Sequence, residues 1–290
     1  MIKKILLIVL FGSMLIFSCS AQQLSYIEKA YPELTGLTPA TSFLKYKPKL
    51  IEIPSKSLRG VGKFMIYLPP DYYKNDRKYP VVYYLHGMGD NCSTWLEGEQ
   101  EIAKAVTLMI EKGAIQPMIL VVPEGERDLW LNFEDGSKLY EDWVVKDLRK
   151  YIEKHYRTIN KKNFRAIMGV SMGGFGALNI GFHNPDVYEF IFALTPAFPD
   201  INQWSQGYFR KNHPIWIAKD SPEKLKSIKT FVKCGSIDGF FPVDSFFVST
   251  MANEKLFCEF KVYPGMKHEA LYFVKSSLDG LKQFSELFGK

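Results

Sequence analysis

Short apolar runs rich in Val, Ile, Tyr and Phe alternate along most of the chain with longer stretches in which apolar residues recur every three or four positions. The short runs predict strands at 50–53, 63–68, 81–85, 118–122, 164–168, 190–194, 230–233 and 257–262. The longer ones predict helices at 99–112, 141–156, 172–183, 243–253 and 270–288. In the second helix Trp143, Val144, Asp147, Leu148, Tyr151, Ile152 and Tyr156 fall on one face. Two antiparallel-looking strands followed by repeated strand and helix units predict an α/β fold, with a mostly parallel eight-stranded sheet and helices on both faces. One interval breaks the rhythm. Residues 195–228 carry Pro196, Pro199, Pro214 and Pro222 with Trp204, Tyr208, Phe209 and Trp216, which predicts a small insertion after the sixth strand, either a cap over a site or packed surface.

The beginning of the chain has a different pattern. Lys3 and Lys4 precede an apolar stretch at 5–17 that is short for a membrane span but has the length of a signal-peptide core. Ile16-Phe17-Ser18-Cys19 resembles a bacterial lipobox, in which Cys19 would be lipidated and begin the mature chain. Plain cleavage after Ala21 is the second reading, since Cys19-Ser20-Ala21 also places small side chains where a signal peptidase needs them. The expected organisation is a lipoprotein signal peptide at 1–18, an N-terminal leader at 19–47 and a catalytic domain at 48–290. Either reading exports the chain from the bacterial cytoplasm, to the periplasm or outer membrane if a lipid holds Cys19 and into the medium otherwise.

Composition fits that outline: 290 residues, 47% hydrophobic and 23% charged, describe a folded domain with a sizeable core. The net charge of +6 is spread without a block of like charges, so no nucleic-acid partner is expected. Without Lys3 and Lys4 the balance is 35 basic against 31 acidic residues. Lipidation of Cys19 would leave Cys92, Cys234 and Cys258, an odd number that encodes no disulfide framework. Buried free thiols are expected at Cys234 and Cys258.

The chemistry is concentrated at a few junctions. Gly169-Val170-Ser171-Met172-Gly173 fits GxSxG between a predicted strand and a predicted apolar helix, the setting of a nucleophile elbow. A serine nucleophile needs a base, and the base an orienting carboxylate; in such elbows they follow the serine in the order acid, then histidine. His268, in the turn-rich loop after the last strand, is the expected general base, because His86 and His155 precede the serine, His183 ends its helix and His213 sits in the insertion. Asp238, in the loop after the strand at 230–233, is the expected acid. Asp244 competes, but lies where a helix has begun, and capping or packing near the site is expected of it. The oxyanion would be met by the N–H of Met172 and by that of Gly87 or Met88 in the loop after the strand at 81–85. Trp95, Trp130, Asn132 and Trp204, with Trp216, are candidates to line an aromatic or sugar subsite. No metal or organic cofactor is expected, and His268-Glu269 lacks the second histidine of HExxH.

Together, Leu85-His86-Gly87, Pro123-Glu124-Gly125, Glu141-Asp142 with Asp147-Leu148, Tyr156-Arg157-Thr158, the elbow, Cys234-Gly235-Ser236-Ile237-Asp238 and Pro264-Gly265-Met266-Lys267-His268 resemble the esterase D branch of the α/β hydrolases over about residues 48–288. The resemblance implies an α/β-hydrolase fold, with Ser171 as nucleophile, Asp238 as acid and His268 as base. The branch looks like a mixture of feruloyl and acetyl esterases of plant cell wall polysaccharides, S-formylglutathione hydrolases, siderophore esterases and mycolyltransferases. The family often has Ser-Gly where this chain has Thr195-Pro196. It often has an aromatic residue soon after the histidine's acidic neighbour, where this chain has Glu269-Ala270-Leu271-Tyr272. The expectation is a secreted carboxylesterase-type serine hydrolase that removes acetyl or feruloyl groups from a polysaccharide or small ester. An acyltransferase, a siderophore or other small-ester hydrolase, a peptidase with the same triad and a non-catalytic binding protein are the competing readings.

Overall fold

A computed structural model describes residues 25–37, 47–97 and 101–288. The signal-peptide and lipidation readings at 1–18 and Cys19, and part of the leader, lie outside the described residues. Eight strands form one sheet: β1 (Lys49–Ser55), β2 (Gly60–Tyr67), β3 (Val81–Leu85), β4 (Ile119–Pro123), β5 (Arg165–Val170), β6 (Phe190–Leu194), β7 (Lys229–Gly235) and β8 (Cys258–Tyr263). Their spatial order is β1-β2-β4-β3-β5-β6-β7-β8, with β1, β2 and β4 joined antiparallel and every other pair parallel.

Every residue of β3, β4, β5 and β6 is buried, as expected of strands covered on both faces. The side chains alternate accordingly. Val81, Tyr83 and Leu85 of β3 join the core that contains Trp130, Trp143 and Phe175, while Val82 and Tyr84 join the opposite core with Trp95, Phe192 and Phe284. In the exposed edge strand β8 the run is interrupted by polar Glu259 and Lys261. Cys258 pairs in register with Thr230, and Cys234 with Val262, so the two thiols sit four rungs apart and both are free.

Helices follow the predicted intervals with shifted ends. The helix expected at 141–156 is a composite: Tyr140–Asp142, a π-helical segment at Trp143–Leu148, then Arg149–His155. The wider turn keeps Trp143, Val144, Leu148 and Ile152 buried. Asp147 is turned to accept from the Ser55 hydroxyl at 2.7 Å and the Ser57 N–H at 2.9 Å. The described part of the leader, 25–37, packs against the domain. A turn of helix, Tyr26–Ala30, packs on the C-terminal helix Ala270–Leu287, burying Ile27, Ala30, Tyr31 and Leu34, and the Tyr31 hydroxyl donates to Asp279.

Between β6 and β7 the chain leaves the sheet and forms Gly207–Lys211, Pro214–Asp220 and Pro222–Leu225. His213, fully buried, anchors this segment: its ring stacks on Phe198, its Nε2 donates to the Pro199 carbonyl, and its Nδ1 accepts from Ile215 N–H. That bonding uses the neutral ring, and burial lowers its pKa in the same sense. The carboxyl ends of β3, β5, β6, β7 and β8 share one edge of the sheet, the place where open α/β sheets carry their ligands.

Candidate active site

Ser171 follows β5 directly, with φ 56° and ψ −119°, and the helix Met172–His183 begins at the next residue. Few side chains adopt such a backbone, and the surroundings enforce it. The Ser171 N–H donates to Leu194 O at 2.9 Å, while its carbonyl accepts from Phe175 N at 3.1 Å and Ala197 N at 3.0 Å. The turn is tight because both flanking glycines touch backbone. A Cβ on Gly169 would stand 2.2 Å from Gly173 O, and one on Gly173 would stand 1.9 Å from Leu85 O.

The loop after β8 brings His268 to this serine. Its Nε2 lies 3.0 Å from Ser171 Oγ and its Nδ1 2.9 Å from Asp238 Oδ2. Asp238 is fully shielded, whereas 32% of the His268 side chain is open. The rings of Phe240 and Phe273 flank the imidazole at 5.3 and 4.9 Å, leaving its serine-facing nitrogen at the surface. Asp238 Oδ1 accepts from Phe240 N–H at 2.9 Å, and Oδ2 also accepts from the Thr195 hydroxyl at 2.8 Å. Sequence reasoning missed that second donor. Its signal was present at the Thr195-Pro196 departure, because threonine keeps the hydroxyl that serine would supply at the same place. Thr195 sits at φ 43°, a strained position for a β-branched residue.

Gly87 lies against the serine: a Cβ there would be 3.6 Å from Ser171 Cβ. The loop after β3 therefore faces the first turn of the elbow helix, where the Met172 N–H is one of the amides that a helix leaves without an intrahelical acceptor. Met88, next in the loop, is 58% exposed.

Four of the five candidate subsite residues are elsewhere or engaged. Trp95 is buried in the opposite core, stacked on Tyr84 at 3.6 Å with its Nε1 donating to Ser277 Oγ. Trp130 is fully buried and fills the space beside Gly125 and Gly176, where it donates from Nε1 to His86 O at 3.3 Å. Asn132 is half-buried and exchanges hydrogen bonds with Asp142. Trp204 does line a cleft of about 640 Å³, together with Arg127, Leu129, Phe133, Tyr208 and Phe209. Trp204 packs edge-on against Phe175 of the elbow helix at 5.8 Å, one layer of side chains from the serine turn. Trp216 instead carries the Arg210 guanidinium on its face at 3.9 Å.

Asp244 caps nothing. It is fully buried in the first turn of Phe241–Asn253, and among the described residues neither carboxyl oxygen has a hydrogen-bond partner. Burial pushes its pKa up to about 8; the Cys234 thiol opposes that shift and the charge of Asp238 adds to it. An unfolded aspartate ionises near its ordinary value of 3.8, so between about pH 4 and 8 the folded chain holds a proton that the unfolded chain releases. Stability from this group is thus fully present at acid pH and is lost as pH rises toward 8. Thermal or denaturant unfolding of Asp244→Asn should show the variant gaining on the parent between pH 5 and 8, by on the order of 1 kcal/mol per pH unit. A stability difference that stays constant over that range would show that Asp244 does not titrate in this way.

Comparison with known proteins bears on the family and the fold. Residues 55–270 match the model of the family described as "Putative esterase". Esterase Rv1288 of Mycobacterium tuberculosis is 34% identical over 118 residues, 39% of this chain and 24% of that protein, so the match spans about a quarter of the curated relative's length. A solved ferulic acid esterase superposes with TM-score 0.72 at 28% identity, over 84% of this chain and 100% of its own. A ferulic acid esterase of Anaeromyces mucronatus (TM-score 0.66, 22% identity, 83% of this chain and 92% of its own) shares the fold. So does S-formylglutathione hydrolase of Staphylococcus aureus (TM-score 0.69, 15% identity, 82% of this chain and 98% of its own). With its elbow at the end of β5 and its sheet that of the α/β-hydrolase esterases, the chain belongs to the putative esterase family, esterase D-like members of the α/β-hydrolase superfamily.

Proposed function

We propose that the protein is an exported serine carboxylic-ester hydrolase. The observation that carries the reading is the unbroken hydrogen-bonded line from Ser171 Oγ through His268 to the shielded Asp238. In this mechanism His268 Nε2 takes the Ser171 proton as Oγ attacks the ester carbonyl, and Asp238 holds Nδ1–H and stabilises the imidazolium. The Met172 N–H and one from Gly87 or Met88 receive the charge on the carbonyl oxygen. Collapse of the tetrahedral species breaks the bond to the alkoxide oxygen, which takes the proton from the His268 imidazolium and leaves as the alcohol, with the acyl group on Ser171. Water, activated by the same imidazole, then releases the acid.

The substrate reading is an acetyl or hydroxycinnamoyl ester of a polysaccharide or a related small ester. It is supported by the likeness to a ferulic acid esterase and by the cleft beside the elbow helix, whose Phe133, Trp204, Tyr208 and Phe209 offer ring faces to an aromatic acyl group or a sugar. Export is part of the proposal, on the reading of Lys3, Lys4 and the apolar stretch at 5–17 as a signal, with Cys19 proposed as the lipid-bearing residue that tethers the enzyme to a membrane. That location disfavours S-formylglutathione, a cytosolic metabolite.

Rates on p-nitrophenyl acetate, p-nitrophenyl butyrate, methyl ferulate and a peptide anilide test the proposal. Turnover of the esters with none of the anilide is expected. Cleavage of the anilide at a comparable rate would make the chain a peptidase, and transfer of the acyl group to added alcohol in preference to water would make it an acyltransferase.

A further inference from the structure

Pro123-Glu124-Gly125, at the end of β4, has no part in the chemistry above, yet Glu124 touches the oxyanion loop at both ends. That loop runs from His86 to Cys92. At its start, Glu124 Oε1 lies 3.1 Å from His86 Nε2; at its finish, Oε2 accepts the Cys92 N–H at 3.0 Å. Glu126 N–H donates to Oε1 at 3.2 Å, and the Glu124 N–H donates to Lys63 O, tying the clamp to β2. Burial raises the Glu124 carboxyl, but the His86 ring and the Cys92 and Glu126 amides outweigh it and hold the group down at about 2, so it is a carboxylate at neutral pH.

The consequence for catalysis runs through His86, which is 1% exposed. Its Nδ1 lies 2.9 Å from Gly87 O and donates to it, and Asp90 N–H donates to the same carbonyl at 3.2 Å. Nε2–H donates to Glu124 Oε1, and Trp130 Nε1–H holds the residue from the other side, at His86 O. In a planar trans peptide the N–H points opposite to the carbonyl, so fixing Gly87 C=O on the His86 side fixes the Met88 N–H on the other. We infer that Glu124 is a positioning residue that sets the direction of the oxyanion-donating amide by holding His86 and Cys92 at the two ends of the loop. The inference rests on the proposed ester chemistry. The clamp acts on a group that matters only as negative charge develops on the substrate, so its loss should lower kcat and leave KM nearly unchanged.

Steady-state hydrolysis of p-nitrophenyl acetate by the full chain, with thermal melting in parallel, tests it in the variants Glu124→Ala and Glu124→Gln. The alanine variant releases both ends, and kcat is expected to fall about 10²-fold, the lower range for loss of one oxyanion donor, with KM within about twofold. Glutamine keeps the size, and its oxygen can accept the Cys92 N–H while its NH2 donates to Nε2 of the neutral His86 ring; kcat within about threefold of the parent, again without a change in KM, is expected from a variant that melts close to the parent. An active parent matched in kcat by a folded Glu124→Ala, a folded Glu124→Gln that falls as far as about 10²-fold, or a variant in which KM rises as much as kcat falls, overturns the clamp while leaving the esterase reading in place. A parent that hydrolyses no ester overturns both.

Discussion

Asp238→Asn is expected to fold like the parent and to hydrolyse a p-nitrophenyl ester about 10⁴-fold more slowly. The carboxylate is surrounded by donors: His268 Nδ1 at 2.9 Å and the Thr195 hydroxyl at 2.8 Å meet Oδ2, and Phe240 N–H at 2.9 Å meets Oδ1. An amide cannot accept at both positions. With its nitrogen toward His268 it becomes a donor to Nδ1, which drives the ring's proton to Nε2, where it faces Ser171 Oγ and cannot receive the serine's proton. With its nitrogen toward Phe240, two donors meet in a site with no access to water. The first arrangement satisfies more groups and is catalytically wrong. Initial rates beside a thermal melt decide the matter: a variant that stays folded and retains activity within tenfold of the parent would remove Asp238 from the catalytic line.

Gly173→Ala should act on folding. The added Cβ would fall 1.9 Å from Leu85 O, 2.5 Å from Leu85 C and 2.7 Å from His86 O, all backbone atoms of β3 and the loop after it. A flexible side chain could move away; these atoms are pinned by the pairing of Leu85 with Gly169 and by the buried His86. Separating β3 from the elbow helix is the alternative, and it opens the most buried part of the sheet. A loss of about 4 kcal/mol or more, or failure to accumulate soluble protein, is expected. Gly60→Ala is the control. Gly60 is exposed on β2, its nearest neighbour would be 3.8 Å away, and its replacement should change stability by about 0.5 kcal/mol or less. Equal denaturation midpoints for the two variants would show that the elbow tolerates a wider turn than these contacts allow.

The elbow was legible because three local signals coincide at Ser171: an apolar strand before it, small residues two positions to either side, and an apolar helix after it. His268 was legible by chain order, as the one histidine after the last strand. Choosing between Asp238 and Asp244 needed position relative to β7, and the structure puts the first on the imidazole and the second, unpartnered, nearby. Tryptophans defeated sequence reasoning for a physical reason. Residue type says that a large ring is buried somewhere, but which face of the sheet receives it depends on pairings between distant strands. Trp95 accordingly lies in the opposite core, and Trp130 braces His86 from inside. The π-helical segment at Trp143–Leu148 was equally invisible, because the wider turn keeps apolar residues on the buried side much as an α-helix would. Thr195 bonds Asp238, and Glu124 bonds His86 and Cys92, between segments far apart in the chain, and no periodicity marks such contacts.

The most direct measurement is reaction of the purified chain with a fluorophosphonate, followed by mass-spectrometric mapping of the adduct and assay of the labelled protein on p-nitrophenyl acetate. The account predicts one adduct, on Ser171, with hydrolysis lost in proportion to labelling, and a Ser171→Ala variant that neither labels nor turns over the ester above about 10⁻³ of the parent rate. No adduct on Ser171, or a Ser171→Ala variant that hydrolyses the ester as fast as the parent, would contradict it.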